Sequence, residues 1–144
     1  MGAREAENVS RSGGARKQKM VAVEIVSVTS DTANPTLKMK AVVRPQDTVG
    51  AVIDGMPMVA ATPYLVALAE TACFRLVERL LDPGQISVGR HVAIDHLGPS
   101  KVDAELVVDA TLRERKGSKL VFEVRIHDGE RLVGGLYGLA IGRM

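Results

Sequence analysis

"TPYLVALAETACFRLVERLL", residues 62–81, is the stretch that decides how this chain must fold. It opens on Thr62-Pro63, with Thr62 placed as N-cap and Pro63 as the first helical residue, where a missing N–H is harmless. It closes at "LDPG", because Pro83 and Gly84 cannot continue a helix. At about 100° per residue, Pro63, Val66, Ala67, Glu70, Cys73, Phe74 and Val77 share one face. Leu65, Leu68, Ala69, Ala72 and Leu76 form a second face as apolar as the first. A helix apolar nearly all round has to be wrapped by other elements. Glu70 breaks the pattern. No Lys or Arg stands three or four positions from it, so the helix offers no salt-bridge partner.

The wrapping material lies on both sides. Before the helix, "VAVEIVSV" (21–28) and "LKMKAVVRP" (37–45) are rich in β-branched residues and read as strands, separated by the breaker "SDTANPT". Residues 46–61, with Gly50, Gly55 and Pro57, read as loop. After the helix come four strand candidates without another helix, at 87–97, 103–115, 120–127 and 131–144. In the second, Ala104, Leu106, Val108 and Ala110 alternate with more polar residues; in the third, Leu120, Phe122, Val124 and Ile126 face one way. Short turns such as "RKGSK" and "DGE" imply an antiparallel meander. Gly134, Gly138 and Gly142 share a face of the last strand with Leu136 and Ala140, and a face stripped of side chains lets another backbone approach. The expected fold class is α+β, an antiparallel sheet curled around one long central helix.

Composition bounds the rest. A chain of 144 residues, 46% hydrophobic and 25% charged, suits one soluble globular domain. Aromatics are 3%, with no Trp, which argues against a stacking platform for single-stranded nucleic acid. The basic excess sits in the first twenty residues, where Arg4, Arg11, Arg16, Lys17 and Lys19 outnumber Glu5 and Glu7; the remainder carries 14 basic and 15 acidic residues. Residues 1–20 are expected to be a disordered basic tail, with a nucleic-acid arm as the alternative, and 21–144 a single domain. The lone Cys73 excludes an intrachain disulfide and is read as a packed thiol in a reducing compartment. No uncharged apolar run reaches the roughly 18 residues of a membrane span, and no secretory h-region opens the chain, so a cytoplasmic protein without membrane or nucleic-acid partners is expected.

Three polar residues call for a joint explanation. Glu70 is the hardest to dismiss, since burying an unpaired carboxylate costs several kcal/mol or drives it neutral. His96 lies near the end of the 87–97 strand, on the face of Val92 and Ile94, placed to look into a cleft. Thr62 has an ordinary role as N-cap, worth about 1 kcal/mol, and His96 an ordinary one as a core histidine. His91 lies on the opposite strand face and His127 precedes a turn; neither has metal-ligand company, and no phosphate-cradling glycine loop or nucleophile elbow is present.

"ATPYLVALAETAC", "PGQISVGRHVAIDHLGPS" and "VFEVRIHDGERLVGGLYGLAIGR" together resemble the fluoroacetyl-CoA thioesterase-like family, over about residues 37–143. That family has the hotdog fold, with a Thr at the helix start, a Glu eight residues on and a His in the next strand. Thr62, Glu70 and His96 stand at the matching positions, and Gly89 matches a family glycine. The resemblance implies hydrolysis of a short acyl thioester, with coenzyme A as part of the substrate and no other cofactor or metal. A homodimer is expected, because a single sheet around one helix leaves edges and apolar area for a partner. Glu70 and Thr62 would act at the thioester carbonyl, and His96 would activate water or handle the leaving thiolate. Gly89 would let a pantetheine arm approach the backbone, or simply kink the strand. The segment before Thr62 lacks the aromatic lid residue of the fluoroacetate-selecting member; Met56 and Met58 would form a more adaptable wall there. Arg113, Arg115, Lys116 and Lys119 would face the coenzyme's phosphates, unless they are a solvated hairpin. Two rivals share the fold: a non-catalytic acyl-CoA or lipid-binding module, and a hydratase or dehydratase.

Overall fold

A computed structural model of the chain describes the backbone of residues 5–7 and 21–143 and the side-chain surroundings of residues 21–135. The elements run β1 (Glu5–Glu7), β2 (Val23–Thr29), β3 (Thr36–Val42), α1 (Thr62–Val77), β4 (Ser87–His96), β5 (Glu105–Lys116), β6 (Lys119–Asp128) and β7 (Arg131–Arg143), with single 3-10 turns at Pro45–Asp47 and Val49–Ala51. The strands form one antiparallel sheet in the order β1-β2-β3-β5-β6-β7-β4, and α1 packs against β3, β4, β5, β6 and β7. This is the hotdog arrangement. Register slips at Ile25/Ser27, Leu112/Glu114 and Gly89/His91 bend the strands, as extra residues in a ladder do, and let the sheet curl.

The two-residue period of the strands sets the core. Ile25, Met39, Val108 and Ile126 stand side by side across β2, β3, β5 and β6, and all are buried under the helix. The same row continues through Gly134 in β7 to His96 at the edge. An added Cβ at Gly134 would lie 3.5 Å from Leu65 Cδ1, so helix and strand do approach closely there. Gly138 and Gly142, with Leu136 and Ala140, fall outside the residues whose side-chain surroundings are described. From the helix, Leu65, Leu68, Ala69, Ala72 and Leu76 are fully buried against this layer.

Three expectations need correction. The strand 87–96 does not extend a meander with its successor: β5, β6 and β7 form the meander, and β4 crosses the molecule to pair with β7. Hairpin-length turns join β5–β6 and β6–β7, whereas residues 97–104 carry the chain from one sheet edge back towards β3. The helix is not wrapped on every side. Pro63 is exposed, and Val66, Ala67, Glu70 and Phe74 are only half-buried. Ala61, not Thr62, is the N-cap, with extended backbone and no side-chain cap bond, which puts Thr62 and Pro63 in the first turn. Glu5–Glu7 form β1, antiparallel to β2.

Leu68 has no exposed surface and belongs to the buried cluster between helix and sheet. Leu68→Ala is expected to cost about 3 kcal/mol through lost transfer energy and a residual cavity. Urea unfolding should show a lower midpoint at unchanged slope.

Candidate active site

At the start of α1, Thr62 Oγ1 lies 2.7 Å from His96 Nδ1, a hydrogen bond between helix and edge strand at an exposed position. The two residues meet because β4 runs antiparallel to the helix and ends beside its first turn. His96, exposed at the end of β4, lies on the helix-facing side of the sheet because its row is in phase with buried Ile25, Met39, Val108 and Ile126. Thr62 is available for the bond because its hydroxyl does not cap the helix.

Glu70 occupies a separate place. It stands eight residues along the helix from Thr62, about 12 Å at 1.5 Å per residue, and is half-buried. Among the described residues no hydrogen bond joins it to Thr62 or His96, so the single chain does not assemble the three groups around one point. Its carboxylate lies over the strand instead: a Cβ built on Gly89 would come within 2.7 Å of Glu70 Oε2. Gly89 therefore makes room for a carboxylate of this chain, and the register slip at Gly89/His91 bends β4 beside it. The Cys73 thiol is buried, and burial first, then the charge of Glu70, pushes its pKa well up. It is a packed thiol, not a nucleophile.

Met56 and Met58 are both exposed in the loop before α1. That loop is folded tightly on itself by bonds from Val49 N–H to the Val59 carbonyl (2.9 Å) and from Gly50 N–H to the Pro57 carbonyl (3.0 Å). Met58 Sδ accepts from Thr48 Oγ1 at 3.4 Å. The basic cluster is elsewhere. Lys119 is level with Gly142 and Val88, and His96 with Gly134; eight residues of β7 separate those rows, about 25 Å. Arg113 is committed to Glu123 at 2.7 Å, and together with Arg125 it holds the Glu123 carboxyl below its ordinary range. Arg115, Lys116 and Lys119 are exposed around the turn at Gly117. Within one chain, none of the four stands near Thr62 and His96.

Two features escaped the sequence. A groove of about 460 Å³ opens at the Thr62–His96 end, lined by Val59, Pro99, Lys101, Val102, Asp128 and Arg131 among others. Asp47 is buried and takes both side-chain and backbone bonds from Arg44. "RPQD", a Pro-led turn with an acid three residues after an Arg, was the available signal. Among the described residues no group of three His, Cys, Asp or Glu is arranged to hold a metal, and no helix is long and apolar enough to cross a membrane.

The model of the FlK family, fluoroacetyl-CoA-specific thioesterases, matches residues 43–136. The chain belongs to this family. A fluoroacetyl-CoA thioesterase of Streptantibioticus cattleyicolor is 35% identical over 78 residues, which cover 54% of this chain and 56% of that relative, so the match spans little more than half its length. Among solved structures, the fluoroacetyl-CoA thioesterase FlK superposes with a TM-score of 0.73 at 26% identity, over 81% of this chain and 90% of that one. A mutant of that enzyme in complex with fluoroacetate and CoA gives 0.69 at 28%, over 76% and 91%. A thioesterase superfamily member from Thermus thermophilus, at 21% identity and a TM-score of 0.70 over 76% and 80%, shares the fold.

Two outcomes follow from the family member's geometry. Gly89→Ala should leave stability within about 1 kcal/mol, because the group in the way is the end of a flexible side chain, and a crystal structure of the variant should show Glu70 swung off β4. Cys73 should resist iodoacetamide at pH 8 in the native protein and react readily in urea, read by intact mass.

Proposed function

We propose that this chain is an acyl-CoA thioesterase that hydrolyses a short acyl thioester to the acid and free thiol. The Thr62–His96 hydrogen bond of 2.7 Å carries the reading. A neutral imidazole held through Nδ1 presents Nε2 to the solvent side. With Nδ1–H donating to Thr62 Oγ1, Nε2 is free to take the proton of an attacking water; the imidazolium so formed returns it to the departing thiolate. The first turn of α1 lies beside this pair, and its N–H groups and helix dipole favour the oxyanion that develops on the carbonyl. Coenzyme A enters as part of the substrate, with no further cofactor.

Glu70 joins through a second copy of the chain. β4 ends the described sheet, so one side of it has no strand partner, and Ile86, Val88, Val92 and Leu97 are exposed along it. A ten-residue edge of this kind invites another strand. A two-fold pairing centred between His91 and Val92 sets Gly89 of each copy opposite Ile94 of the other, and so brings each Glu70 towards the other copy's Thr62 and His96. In this homodimer the carboxylate can orient the water or attack the carbonyl itself. A cytoplasmic setting suits the reduced Cys73.

Thiol release from a panel of short acyl-CoAs tests the activity. His96→Ala and Glu70→Gln should each lower kcat by about 10²–10⁴-fold. No release from any acyl-CoA by the wild type would return the chain to a binding module or a hydratase. Lysines at Val88 and Val92 should yield a folded monomer by light scattering with little activity; a monomer as active as the wild type would sink the shared site.

A further inference from the structure

Thr62 is set in place by what precedes it. Residues 59–61 form a strap gripped on both sides. On one side Val49 N–H donates to the Val59 carbonyl (2.9 Å), Ala61 N–H donates to the Asp47 carbonyl (3.0 Å), and Thr48 is bridged to Ala60. On the other, Ala60 N–H donates to the Ser100 carbonyl (2.8 Å) and Val59 is bridged to Lys101. Ser100 follows directly on the segment leaving His96, which is itself anchored by Leu97 N–H to the Val133 carbonyl at 2.8 Å. One strap thus fixes both partners of the Thr62–His96 bond.

On the Asp47 side the strap is backed by an ion pair whose carboxylate is buried. Asp47 Oδ2 accepts from the Arg44 backbone N–H at 2.9 Å and from Arg44 Nε at 2.8 Å, and Oδ1 accepts from Arg44 Nη2 at 2.8 Å. The Asp47 side chain is 4% exposed and that of Arg44 25%. Tyr64, in the first turn of α1, is buried; its hydroxyl is pushed up first by burial and then by the charge of Asp47, which places the same pair close to the helix start. A planar fork on a carboxylate fixes distance and angle together, which a point charge does not.

We infer that Arg44 and Asp47 are positioning residues for catalysis, holding the strap so that Thr62 Oγ1 stays within hydrogen-bonding reach of His96. They touch no substrate and act through Thr62, so the inference rests on the catalytic reading of Thr62 and His96. Displacements of about 1 Å at a reacting group can cost on the order of 10²-fold in rate. The effect therefore falls on kcat, with KM for the acyl-CoA unchanged.

The test is a double-mutant cycle on thiol release, with Arg44→Lys and Asp47→Asn each made in the wild type and in Thr62→Ala. Alone, each should lower kcat about 10- to 100-fold with KM within about twofold; in Thr62→Ala, neither should lower it further. An equal loss in both backgrounds, or no loss in the wild type, overturns the inference while leaving Thr62 catalytic. Thr62→Ala as active as the wild type overturns the catalytic reading itself. Should Asp47→Asn fail to fold, Arg44→Lys, which keeps the charge and loses the fork, carries the cycle. Should Thr62→Ala be too slow to measure, the His96 Nδ1 chemical shift decides: Arg44→Lys should move it towards its Thr62→Ala value, and an unmoved shift overturns the inference.

Discussion

A carboxylate can lie against a packed helix–sheet layer only where the neighbouring strand gives up volume, and Glu70 has that space because position 89 is Gly. Any Cβ there would fall within 2.7 Å of the carboxylate oxygen. The consequence spreads beyond the contact. With a glycine and two register slips near it, β4 has little side-chain packing of its own towards the helix, and its burial is low for a strand in a two-layer protein. The helix is open on the same side, along Val66, Ala67, Glu70 and Phe74. One constraint thus produces an acidic group, a thin edge strand and a half-uncovered helix face at a single place. These features favour an edge that another copy covers over a defect in the core.

What could be read from the sequence follows from which interactions have a period. The helix and strands β5 and β6 were legible because a single spacing of apolar residues serves a single layer: Leu65, Leu68, Ala72 and Leu76 on one, Val108, Ala110, Phe122 and Val124 on the others. The place of β4 was not. Val88, Val92 and Ile94 mark it as a strand without saying which edge it joins, and its neighbour is settled only by the path of residues 97–104. Thr62 illustrates a different limit. Helix propensity locates the first turn to within a residue, but a hydroxyl at its end can bond the backbone or reach across to another element. It reaches across to His96. Arg113 falls beside the Leu112/Glu114 slip, so its partner Glu123 depended on a register that alternation does not encode. The pairing of Arg44 with Asp47 was written in "RPQD", yet its burial depended on how residues 59–61 pass over it.

The position of the basic turn ties these strands of reasoning together. In one chain, Arg115, Lys116 and Lys119 are remote from Thr62 and His96, because Lys119 is level with Val88 at the opposite end of β4. Antiparallel pairing of β4 with its copy exchanges the two ends. In that proposed pairing, the operation that carries Glu70 towards the other copy's His96 would also set Val88 of one copy level with Asp95 of the other. Each basic turn would then lie at the height of the other copy's Thr62–His96 pair, set back by the width of β6 and β7. In the homodimer proposed above, a carboxylate, an imidazole and a set of cations that look scattered over one sheet would become features of one end of a two-fold assembly. A coenzyme with a thioester at one end and phosphates at the other could span a separation of that kind, so the proposed pairing reconciles the distances within one chain with the proposed substrate.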